Sequence, residues 1–177
     1  MSSEASLLRI ATVDQPSQLG IIRQLFQEYS DEIEIDLCFQ NFAQELAELP
    51  GKYAPPAGRL YLAMAGDEPA GCVALRPLAP EVAELKRLYV RPAFRRHGTG
   101  RLLTETALQA AGEIGYRTMR LDTLATMRAA IALYESLGFR HTSPYCNNPS
   151  PHAVFMEIAL PSVAAASRQP SADHHAP

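Results

Sequence analysis

The chain has 177 residues, 47% hydrophobic and 20% charged, with a formal net charge of −3. This length and balance fit one soluble domain with a sizeable core, and the charge excludes nucleic-acid binding through bulk electrostatics. No apolar run approaches the roughly 18 residues needed to span a bilayer.

Three cysteines, Cys38, Cys72 and Cys146, without CxxC spacing argue against a disulfide framework. The five histidines are scattered or lie in the polar tail, so no metal is expected. The start, Met1 to Ser6, has neither a basic segment nor an apolar signal core, and a cytoplasmic location is expected.

Leu7 to Val13 reads as a strand closed by Asp14-Gln15-Pro16. Gln18 to Tyr29 carries Leu19, Ile22, Leu25, Phe26 and Tyr29 at helical spacing, and Phe39 to Leu49 repeats the pattern. Between them lies an acidic stretch with Asp31, Glu32, Glu34 and Asp36. Pro50-Gly51 stops the second helix, and Lys52 to Arg59 reads as loop. Arg59 to Met64 and Ala70 to Arg76 form a hairpin about Gly66-Asp67-Glu68-Pro69. Val82 to Val90 is the next strand. Its parity is odd, because Leu85 and Leu88 would face opposite sides. A bulge near Arg87–Tyr89 or burial on both faces accounts for this.

Thr99 to Ile114 is a helix stopped at Gly115, and Arg117 to Thr123 a strand. Met127 to Leu137 is a short helix with Thr126 as N-cap and Gly138 at its stop. Phe139 to Thr142 and Ala153 to Leu160 complete the strands. The expected domain is 1–160, with 161–177 a polar, disordered tail. Strand–helix–strand order over 82–123 requires one parallel pair. The fold class is therefore α/β (mixed α+β): a mixed, mostly antiparallel sheet with helices on both faces.

One segment carries chemistry. Arg95-Arg96-His97-Gly98-Thr99-Gly100-Arg101 lies between a strand and a helix start. Free N–H groups and the dipole of a helix's first turn bind anions, and glycines let backbone approach them closely. With three arginines around it, the loop reads as a pyrophosphate site.

These residues resemble the GNAT-type N-acetyltransferases. Arg95-Arg-His-Gly98-Thr-Gly100 is similar to their Gln/Arg-x-x-Gly-x-Gly/Ala loop. Glu84 to Pro92 resembles their fourth strand and its exit, and Ala130-Ile-Ala-Leu-Tyr134-Glu-Ser-Leu-Gly138-Phe139 their A-x-x-L-Y-x-x-x-G-F signature. The likeness covers about 60–160 and leaves 1–60 as the variable, acceptor-side part.

The resemblance implies a three-layer fold and acetyl transfer from acetyl-CoA to a primary amine of a small molecule or protein. It gives Glu84 as base and Tyr134 as general acid. It gives backbone of Leu88, Tyr89 and Val90 to the acyl carbonyl. It gives Arg95, Arg96, His97, Gly98, Thr99, Gly100 and Arg101 to the pyrophosphate, and Ala130 to the pantetheine arm. A homodimer is common in such proteins. The family's usual Asn seven residues before the tyrosine is Met127 here. Two other readings stay open at this point: a non-catalytic acyl-CoA sensor of the same fold, and a nucleic-acid binder using Lys86 to Arg101.

Overall fold

The computed structural model describes residues 7–33, 37 and 41–161. Among these the strands are β1 (Leu8–Thr12), β2 (Arg59–Ala65), β3 (Glu68–Ala79), β4 (Val82–Val90), β5 (Thr118–Leu124), β6 (Arg140–His141) and β7 (Ala153–Ala159). They form one sheet in the order β1-β2-β3-β4-β5-β7-β6, antiparallel throughout except for β4 beside β5. The helices are α1 (Pro16–Glu32), α2 (Phe42–Glu48), α3 (Thr99–Ile114) and α4 (Arg128–Ser136). No helix among the described residues is long and apolar enough to cross a membrane.

Strand alternation divides the core in two. One face of the sheet sends Val73, Leu75, Leu85, Met119 and Leu121 against Leu103, Ala107 and Ala111 of α3 and Tyr134 of α4. The other sends Leu60, Leu62, Cys72 and Ala74 against Ile22, Leu25 and Phe26 of α1 and Phe42 of α2. Burying a leucine such as Leu25 or Leu103 contributes about 1.5–3 kcal/mol. The expected helix–sheet–helix layering is present.

Several boundaries differ from the sequence expectation. Helix α1 begins at Pro16, whose missing N–H costs nothing in a first turn. The Gln18 side-chain oxygen accepts bonds from the Asp14 and Gln15 N–H groups at 3.1 and 2.9 Å. Strand β3 continues past Arg76 to Ala79, through Pro77, and turns into β4 with Glu81 at φ 60°. Thr126 is not the cap of α4. Met127 holds that position and makes no side-chain cap bond. Phe39 and the acidic residues Glu34 and Asp36 lie outside the described residues, as does the tail beyond Pro161.

The odd parity of β4 has both of its expected causes. Cys72 pairs with Tyr89 and Ala74 with Lys86, so Arg87 and Leu88 together oppose Val73. Arg87 sits at φ 57°, a left-handed conformation that costs a non-glycine residue about 1–3 kcal/mol. Ala83 to Arg87 are also buried whichever way they point. The parallel pairing of β4 with β5 spans only Val82–Glu84 against Thr118–Arg120. Beyond that the two strands part.

Candidate functional site

Two connected cavities occupy the gap between β4 and β5. The outer one, about 950 Å³, is walled by Leu88, Tyr89 and Val90 of β4, the loop into α3, and Ala130 and Leu133 of α4. The inner one, about 50 Å³, shares Tyr29, Leu88 and Met127 with it and continues to Lys86, Arg87, Asp122, Tyr134 and Asn148.

At the outer end, a turn at Pro92–Phe94 leads to Arg96 at φ 66° and Gly98 at φ 79°, and α3 starts at Thr99. Glycine takes that conformation without steric cost. The Thr99 hydroxyl donates to the Phe94 carbonyl at 3.0 Å and fixes the loop from within. Arg95, Arg96, Gly98, Thr99, Gly100 and Arg101 all line the cavity, whereas His97 does not. Arg95 donates to the Val90 carbonyl at 2.8 Å and to both oxygens of Glu32 at 2.6 and 2.7 Å. Both side chains are more than 40% exposed, so their pairing is worth about 0–1 kcal/mol. A doubly charged anion competes easily for Arg95. Arg91 instead holds Glu28 through two bonds, at 3.0 and 2.8 Å, and the Pro69 carbonyl at 2.9 Å, which makes it a tie between α1 and the loop.

At the inner end Tyr134 is 5% exposed, with its ring 5.6 Å from that of Phe139. Burial, with Tyr29 and Asp122 nearby, pushes its hydroxyl pKa well above the ordinary tyrosine value. It therefore carries its proton at any physiological pH. Asp122 accepts from the Lys86 ammonium at 2.9 Å and from the Asn148 amide at 3.0 Å. Burial raises its pKa, but the Lys86 charge and these bonds outweigh it, so the carboxyl stays below its usual range.

Glu84 is 1% exposed and lies behind this cavity rather than on its wall. It accepts from Arg76 at 2.7 Å and from the Tyr145 hydroxyl at 3.1 Å, with Lys86 at 3.7 Å. Tyr145 is held over the sheet between the Phe155 ring, 5.4 Å away, and the Arg120 guanidinium at 5.6 Å. Arg76–Glu84–Lys86–Asp122 is thus a ladder of alternating charge across β3, β4 and β5.

The structure brings Tyr134, Ala130, Leu88 to Val90 and most of the basic loop to one continuous cleft. Sequence reasoning missed Asp122, Lys86 and Arg87, whereas Asn148 belongs to the polar loop 147–151 that reads as a rim of the acceptor cavity. The first had a signal: Arg120 and Asp122 alternate with the buried Met119 and Leu121, so two charges share the opposite face of β5.

A model of the acetyltransferase (GNAT) family matches residues 20–139. The chain belongs to the GNAT acetyltransferase family. An uncharacterized N-acetyltransferase of Schizosaccharomyces pombe is 42% identical over 157 residues, which cover 88% of this chain and 96% of that one. A GNAT-family acetyltransferase of Staphylococcus aureus has the same fold, with a TM-score of 0.72 and 18% identity over 88% of this chain and all of its own. A Bacillus subtilis acetyltransferase solved in complex with CoA superposes with a TM-score of 0.60 at 21% identity, covering 87% of this chain and 99% of its own. As a GNAT protein, the chain is an acyltransferase.

Proposed function

We propose that this GNAT enzyme moves an acetyl group from acetyl-CoA to a primary amine, with the donor in the outer cavity and the reaction at the inner one. The observation that carries the reading is the layout of one cleft. A basic loop and helix N-terminus stand at its outer end, and a protonated, buried Tyr134 at its inner end. The residues fit an acyl-CoA. The N–H groups of α3's first turn, with Arg95, Arg96 and Arg101, take the pyrophosphate. Small Ala130 leaves room for an unbranched arm on α4, and Met127, in place of the family's Asn, offers that arm no amide hydrogen bond.

Leu88 to Val90 run along the unpaired side of β4, and their backbone supplies the donors for an oxyanion. Tyr134 gives its proton to the departing thiolate. A free alkylamine is protonated at neutral pH, with a pKa near ~10.4. Only its minor neutral form carries the lone pair that attacks, and a carboxylate is needed to take the proton shed after attack. Both carboxylates are paired, Glu84 with Arg76 and Tyr145 and Asp122 with Lys86 and Asn148, but only Asp122 lines the cavity beside Tyr134. Asp122 therefore takes the proton that the nitrogen sheds once the C–N bond has formed, when that nitrogen is far more acidic than a free ammonium. Glu84 steadies it through Lys86.

Steady-state transfer with acetyl-CoA and an amine panel tests this. Tyr134→Phe and Asp122→Asn should each lower kcat by about 10²–10⁴-fold with little change in the KM for acetyl-CoA. Glu84→Gln should have the smaller effect. Transfer rates untouched by both Tyr134→Phe and Asp122→Asn would refute the assignment.

A further inference from the structure

Arg87 is buried and charged, and its side chain takes no part in the transfer step. Its guanidinium donates to Glu45 of α2 through Nε at 3.0 Å and a terminal nitrogen at 2.7 Å. It stacks on the rings of Phe42, 5.1 Å away, and Tyr29, 5.9 Å away. Glu45 in turn accepts from the Tyr53 hydroxyl at 2.7 Å. Burying such a pair is expensive, and an apolar pair of the same volume often serves stability better. The left-handed φ of Arg87 adds to that cost.

The position of the pair suggests what it is for. Arg87 lines the inner cavity. Its partner Glu45 lines a different cavity of about 140 Å³, with Gln44, Glu48, Lys52, Tyr53 and Arg76. The ion pair therefore stands between the two spaces. Two aromatic faces, two hydrogen bonds to one carboxylate, and a tyrosine behind that carboxylate hold it in one geometry.

We propose that the Arg87–Glu45 pair is the end wall of the acceptor pocket. It divides the reaction chamber from the cavity behind α2 and restricts the acceptor to short amines. This rests on the transfer reading above for the location of the acceptor. With the wall in place, only about 50 Å³ lies beyond the cleft, room for a small group. Without it, the space behind α2 becomes an extension lined by Glu48, Gln44 and Arg76, able to take a longer chain.

The test uses straight-chain primary amines from two to eight carbons. For each, kcat/KM is measured with acetyl-CoA, and binding to the CoA-loaded protein is followed by calorimetry. Three proteins are compared: wild type, Glu45→Ala, and Arg87→Gly/Glu45→Ala. The double variant removes both charges together, so no buried ion is left unpaired, and glycine suits the backbone at 87. It keeps the test alive if the single variant does not fold. An excluded methylene costs a pocket about tenfold or more. Wild type should thus lose at least about tenfold in kcat/KM between short and long amines, and the variants should recover most of it for the long ones.

The same length profile in all three proteins overturns the wall, and so does failure of every amine to bind wild type and variants alike. If amines bind with the expected shift in length but none is acetylated, the wall stands and the transfer reading fails.

Discussion

Gly71 lies in β3 directly against the part of β4 that lines the cleft. A Cβ built there would meet the Tyr89 carbonyl oxygen at 2.4 Å and the Val90 Cα at 3.1 Å. The first distance is about 0.6 Å inside the 3.0 Å below which something must move. Both neighbours are backbone, so Gly71→Ala cannot be absorbed by a rotamer change. It must push β4 away from β3 at Tyr89 and Val90.

Overpacking of this kind costs about 1–3 kcal/mol, and a domain of this size loses roughly 2–4 °C in Tm per kcal/mol. Displacement of the cleft-lining strand by much of an ångström should cost about 10²-fold in kcat/KM, since reacting groups misplaced by about 1 Å lose that much. Thermal unfolding and acetyl-transfer kinetics on the same preparation read both. A Gly71→Ala protein with unchanged Tm and unchanged kcat/KM would show that β4 is not held against β3 as described.

Gly112→Ala is the matched control. Its nearest neighbour is the Pro161 oxygen at 4.0 Å, so an alanine in this helical site should add about 0.5–1 kcal/mol and leave kcat/KM unchanged. Lys86→Met takes the nearest cation from a 6%-exposed Asp122 and should destabilise the fold by about 3–5 kcal/mol at pH 7 in urea titrations. In wild type the Asp122 pKa is depressed, so its contribution is present above the unfolded value of about 3.9 and lost as pH falls through the lower folded value. In the variant burial dominates and the pKa is raised, so the penalty fades as pH falls. The gap between the two proteins must therefore narrow from pH 7 to pH 4, and a gap independent of pH refutes the pairing.

Features set by short stretches of chain were legible in the sequence. The basic loop, the start of α3 at Thr99 and the parity break in β4 each depend on a few consecutive residues, and each lies where their pattern indicates. Boundaries set by partners were less so. Pro77 reads as the end of a strand, yet β3 passes through it because Ala83 of β4 pairs across from it. Thr126 reads as a cap, yet the chain enters α4 one residue later.

The charge ladder was invisible for the same reason. Arg76, Glu84, Lys86 and Asp122 are spread over 47 positions, and only the register of three strands makes them neighbours. Glu84 illustrates the consequence. Its place in the sequence suggests a base, while the register places it beneath Tyr145 and against Arg76.

A β-sheet ordinarily frays at its outer strands, where backbone groups meet water. Here the lattice of backbone bonds is also cut through its middle, because β4 and β5 are laced only at Val82–Glu84. The structure is then two half-sheets, β1 to β4 under α3 and β5-β7-β6 beside α4, joined at one end like the arms of tweezers. Amide hydrogens on the facing arms of β4 and β5 should trade with solvent sooner than those elsewhere in the sheet interior. They should slow when a molecule fills the gap. The softest part of this sheet should then be its centre, stiffening as the cleft is filled.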